Sequence, residues 1–158
     1  MKKNNKNNKG FSLVELIIVI AIMAILIGVL APQYLKFVER SRQSTDKQNV
    51  DEIVRAIEIY AADPLADPKV ATDAAGTKVT LTTSGLSIEA SKTNTNAFGA
   101  ALGAAGIGSY SSGTYTADST KLKSSVWGNV TLTFTVGSDG NVKVEASCSA
   151  TGAPNILE

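Results

Sequence analysis

Glu15 is an acid embedded in an apolar run. From Leu16 to Leu35 there is no charged residue at all. A carboxylate at membrane depth is expensive, so an acid kept there is a functional candidate by default, and its natural partner is a positive charge. Just ahead lie Gly10 and Phe11, preceded by Lys2, Lys3, Lys6 and Lys9. Glycine lets a backbone lie extended with no side chain in the way, and Gly10 stands at the junction between the lysines and the apolar run. Asp63, Asp67 and Asp73 are the acids with metal-ligand chemistry. Their spacing matches no calcium-loop pattern, so they are expected to be solvated loop acids. Cys148 is the chain's single cysteine and is expected to be a small, buried or half-buried thiol, with intermolecular pairing or lipid attachment as the alternatives. Phe11, Tyr34, Phe37 and Tyr60 line one long segment and are expected to serve core and interface packing.

Composition excludes several kinds of chemistry. With no histidine among 158 residues there is no His-based triad and no imidazole metal site. One cysteine allows neither an intrachain disulfide nor a four-thiolate zinc site. A net charge of +1 gives no basic face for nucleic acid. The Gly-rich run 99–113 lacks the Gly-Lys-Ser/Thr ending that holds phosphate, and no stretch resembles a nucleophile elbow. No enzymatic activity, cofactor or metal is expected.

Four lysines beside about 20 apolar residues form a membrane-inserting signal with its lysines in the cytoplasm. Removing those lysines leaves 11 basic residues against 14 acidic ones, so the remainder carries a net charge of about −3. Helix is expected from about Ser12 to Ala62, roughly 75 Å at 1.5 Å per residue, with a stop at Asp63-Pro64. Gly28 and Pro32 are expected weak points, with a kink at the proline. The stretch from Glu39 to Asn49 contains no apolar residue and is expected to contact solvent or other subunits. Beyond it, Val50, Ile53, Ile57 and Tyr60 recur at helical spacing and form a stripe that needs a partner.

The second half is rich in small residues. Residues 63–78 are loop-like, Lys78–Thr83 and Leu86–Ala90 alternate weakly and are candidate short strands, and Ala, Gly, Ser and Thr supply 21 of the 30 residues from 91 to 120. Within that region, a helix capped by Asn96 and anchored by Phe98 and Leu102 is expected to run to about Ala105, between flexible flanks. Val130, Leu132, Phe134 and Val136 alternate with threonines, Gly137–Gly140 turns, and Val142, Val144 and Ala146 alternate with Lys143 and Glu145. This is a β-hairpin with one apolar face, facing the helical stripe. The fold class is therefore α+β: a long N-terminal helix, half transmembrane and half amphipathic, packed on a small antiparallel sheet with a C-terminal hairpin. The expected segments are a basic stretch 1–10, a membrane helix 11–35, an amphipathic helix 36–62, and a head 63–158 with loop 63–125 and hairpin 126–148.

The run Lys9-Gly10-Phe11-Ser12-Leu13-Val14-Glu15-Leu16 resembles the class III signal of type IV prepilins and pseudopilins. That signal has a basic leader ending in Gly, then Phe, then a glutamate fifth in the mature chain. Pro32 falls where such pilins commonly carry a proline. The resemblance covers residues 9–60 well and the rest only in style. It implies that a prepilin peptidase cuts after Gly10 and N-methylates Phe11. It also implies that Glu15 pairs with the new amine of a neighbouring subunit and that the helix region around Gly28 and Pro32 partly melts in a filament. The partners it implies are other pilin subunits in a homo-polymer, the peptidase/N-methyltransferase, and indirectly an assembly platform and its ATPase. The protein would sit in the cytoplasmic membrane before assembly and in an extracellular filament afterwards, serving adhesion or motility. The competing expectations are a type II secretion pseudopilin, a minor pilin, and a membrane-anchored binding protein that does not polymerise.

Overall fold

The structure, a computed structural model, describes residues 11–89, 93–111, 114–117 and 121–158. In chain order its elements are α1 (Leu13–Ala62), β1 (Asp73–Leu81), β2 (Leu86–Ile88), α2 (Thr95–Ala104), β3 (Gly108–Ser111), β4 (Thr114–Ala117), β5 (Val130–Val136) and β6 (Val142–Cys148). They divide into two compact units, Met1–Arg40 and Ser41–Glu158. The architecture is α+β, one long helix and a small antiparallel sheet, as the sequence pattern indicates.

In the first unit every residue from 11 to 37 is exposed. An apolar surface of this extent is not tolerated in water, so lipid or other chains must cover it. Among the described residues α1 is the one helix long and apolar enough to cross a membrane. It runs through Gly28 and Pro32 without a break. Those two residues are one weak point rather than two, because a proline ring crowds the carbonyl four residues earlier and withholds the N–H that would have bonded it. Here that carbonyl belongs to Gly28.

In the second unit the buried residues of α1 are Asp46, Val50, Ile53 and Ile57, successive positions of one helical stripe. Four strands form a sheet in the order β2-β1-β5-β6, and β3 pairs with β4 separately. In β5, Val130, Leu132, Phe134 and Val136 are buried while the threonines between them are half-buried. The hairpin pairs Val130 with Cys148 through Val136 with Val142. In its turn the backbone N–H of Asn141, and then its side-chain amide, bond the Asp139 carboxylate and hold its pKa below the ordinary value. The stripe Val50, Ile53 and Ile57 shares one core with the hairpin, with Tyr60 packed at its margin. Phe98 of α2 joins that core and meets Phe134 edge-on, 5.2 Å between ring centroids.

The described residues of 63–125 hold more regular structure than their composition indicates. β1 starts at Asp73, well before Lys78, because its first turn of chain is a bulge. Asp73 lies opposite Val136 and Thr77 opposite Phe134, with a register shift between them. The Asp73 carboxylate closes the bulge by accepting the N–H groups of Ala75 and Gly76 and the Thr77 hydroxyl. Gly76, at φ +80°, lies so close under β5 that a Cβ there would stand 2.6 Å from Thr133 Cγ2. α2 begins at Thr95, so its cap is Asn94 rather than Asn96. The Asn94 side chain is turned away from the helix and clips both the N–H and the C=O of Ala71, at 2.7 and 2.8 Å. Phe98 and Leu102 anchor α2 as expected, both fully buried, and β3 and β4 replace part of the expected flexible flanks.

Candidate functional site

The acid in the apolar run stands at the start of α1. Ser12 precedes the first helical residue, and its C=O accepts the Leu16 N–H at 3.2 Å. The Glu15 carboxylate turns back and accepts the Ser12 N–H at 2.9 Å. This is the Glu half of a capping box, Ser-x-x-Glu, in which the third helical residue satisfies an N–H that the helix leaves orphaned. An acid in the first turn also lies at the positive end of the helix dipole. The carboxylate is therefore held one residue from Phe11, whose side chain is fully in the open at 94% exposure. Gly10, the other half of the expected processing bond, lies outside the described residues. The Ser-x-x-Glu spacing is visible in the sequence; it is the signal for Ser12, which the membrane-depth argument passes over.

A second polar site was missed for a related reason. Asp46 is wholly buried within the stretch expected to face solvent or other subunits. Its two carboxylate oxygens accept the N–H groups of Lys123 and Ser124, each at 2.8 Å. It thereby ties the loop between residues 121 and 129, which carries the buried Trp127, to α1. The available signal is position, since Asp46 continues the Val50/Ile53/Ile57 stripe one turn earlier. Asp46→Ala leaves two N–H groups without an acceptor, which is expected to lower head stability by about 2–4 kcal/mol. Denaturant unfolding of a soluble chain beginning near Tyr34 is the measurement; a loss below about 0.5 kcal/mol would place Asp46 among ordinary surface residues.

The remaining candidates are not brought together. Asp63 accepts the Leu65 N–H, Asp67 is exposed, and Asp73 is buried in its bulge rather than solvated. Among the described residues no group of three or more acids and cysteines is placed to hold a metal. The Cys148 thiol is half-buried, with its sulfur 3.7 Å from the Pro154 carbonyl. Of the four aromatics, Tyr60 packs on the core and donates its hydroxyl to Pro68 C=O, while Phe11, Tyr34 and Phe37 are exposed.

Residues 5–31 match the family model of the prokaryotic N-terminal methylation motif. That motif is the class III signal peptide of type IV pilins and pseudopilins. No match was found among curated proteins or solved structures.

Proposed function

We infer that the chain is a structural subunit of a type IV pilus. It is cut after Gly10, N-methylated at Phe11, held in the cytoplasmic membrane by the apolar part of α1, and polymerised through that helix into a surface filament. The observation that carries this reading is the methylation motif opening the exposed apolar part of α1, residues 13–35, in which Glu15 is the one acid. Lipid covers that surface before assembly, and the helices of other copies cover it afterwards. Adhesion or motility then belongs to the polymer. The prepilin peptidase and the assembly platform with its ATPase act on the chain.

Mass spectrometry of filaments sheared from cells is expected to find a chain beginning at methylated Phe11. Gly10→Val is expected to abolish cutting, because a branched side chain replaces bare backbone in the protease cleft. A surface chain that retains Met1, or one cut after Ala31 as by an ordinary signal peptidase, would sink the reading.

A further inference from the structure

The sheet order leaves β6 as an open edge seven residues long. Ser149 N–H bonds Asn129 C=O at 2.8 Å and Gly137 N–H bonds Asn141 C=O at 2.9 Å, which marks the odd-numbered pairs of the β5–β6 ladder as the hydrogen-bonded ones. Lys143, Glu145 and Ser147 thus aim their backbone groups at β5. Val142, Val144 and Ala146 aim theirs outward, and among the described residues no backbone group bonds them. The side chains of these three residues border the core yet remain half-exposed. An unpaired edge of this length, free of proline, is a template for another strand. Edges are commonly protected by charge, but here the charges have opposite signs. Lys143 and Glu145 bond each other at 2.9 Å with side chains 74% and 67% exposed, and an ion pair so open to water adds little.

We propose that β6 pairs antiparallel with β6 of a second copy of this chain, about a two-fold axis at Val144. This register sets Val144 opposite Val144 and Val142 opposite Ala146 as hydrogen-bonded pairs. It sets Lys143 opposite Glu145 of the second copy, twice, in the closer non-hydrogen-bonded pairs. An axis at Lys143 or at Glu145 brings like charges face to face, and an axis at Val142 or Ala146 gives neither residue an opposite charge. The charge pattern therefore selects one register. The result joins two four-stranded sheets edge to edge and extends cover over the half-exposed Val142, Val144 and Ala146. A two-fold contact closes at two copies and does not repeat along a polar filament, so in a pilus it links heads of neighbouring filaments. The pairing itself does not depend on filament formation.

The test is sedimentation equilibrium of the full chain in detergent. Wild type is expected to dimerise. Lys143→Glu and Glu145→Lys are each expected to weaken the dimer about tenfold, because two attractive cross-strand pairs become two repulsive ones. An equimolar mixture of the two variants is expected to recover dimers, since each then meets its opposite. Loss of the pair within one chain cannot produce recovery on mixing. Glu15→Gln is expected to dimerise like wild type while failing to build filaments, so the pairing and the pilus reading fail separately. A monomeric wild type, single reversals that dimerise as well as wild type, or a mixture that does not recover would each overturn the proposal.

Discussion

Glu15→Ala and Glu15→Gln, each expressed as the sole copy of the chain, are expected to enter the membrane and to be processed, and neither is expected to build filaments. Removing a charge from an apolar segment makes insertion easier, so the protein should be as abundant in membranes as wild type. The two variants separate two roles of the carboxylate. In the single chain it accepts the Ser12 N–H at 2.9 Å and caps α1. Glutamine keeps that acceptor, since the capping box takes Glu or Gln at this position, but it carries no charge to offset a neighbour's amine. If assembly depends on pairing two charges buried among apolar helices, Gln fails as Ala does. If assembly depends only on a well-formed helix start, Gln assembles and Ala does not. Electron microscopy of sheared fractions, beside an immunoblot of membranes, reads both results. Abundant filaments from Glu15→Gln would refute charge pairing and leave the cap as the function of the residue. Mixed with wild type, either variant is expected to be carried into filaments, because only some contacts are lost.

Phe134→Ala is expected to lower the stability of the head by about 3–5 kcal/mol, the range for deleting a fully buried aromatic. Phe134 has no exposed surface, belongs to the central pair of strands, and meets Phe98 of α2 edge-on. Its removal opens a cavity where the sheet, α2 and the buried stripe of α1 converge. That cavity cannot collapse easily, because Thr77 lies opposite on β1 and is itself held by Asp73. Denaturant unfolding of a chain lacking the residues before Tyr34 gives the number. A loss below about 0.5 kcal/mol would mean that the ring faces solvent and that the hairpin is inverted.

The parts of the fold that could be read in the sequence share a clean period. α1 announces itself by an unbroken apolar run followed by the Val50/Ile53/Ile57 spacing, and the hairpin by strict alternation around a Gly-rich turn. The first half of β1 was hidden because Asp73-Ala74-Ala75-Gly76-Thr77 is a bulge, which has no period of two, and its organising side chain is an acid. β3 and β4 lie in a stretch of Gly, Ser, Thr and Tyr where alternation has no apolar member to mark it. Asp46 went unseen because burial of a carboxylate is decided by two backbone N–H groups far along the chain. The methylation motif at residues 5–31 was readable for a different reason. A processing enzyme recognises a short extended segment, so its signal does not have to pass through a fold.

The order of strands also bears on how the head comes to be folded. β5 and β6 are joined by a short turn and can pair as soon as both exist, on the microsecond scale typical of hairpins. β1 instead finds its partner across most of the head, with Thr77 opposite Phe134 and Leu81 opposite Val130. Closing so long a loop must precede any return from the contacts it makes, so this docking step is expected to set the folding rate. A ribosome delivers α1 and β1 first. Until β5 arrives, the apolar stripe of α1 and the edge of β1 that β5 will cover stand open, with only β2 on the other edge, and in that interval the nascent head is most open to capture by chaperones, proteases or another unfinished copy.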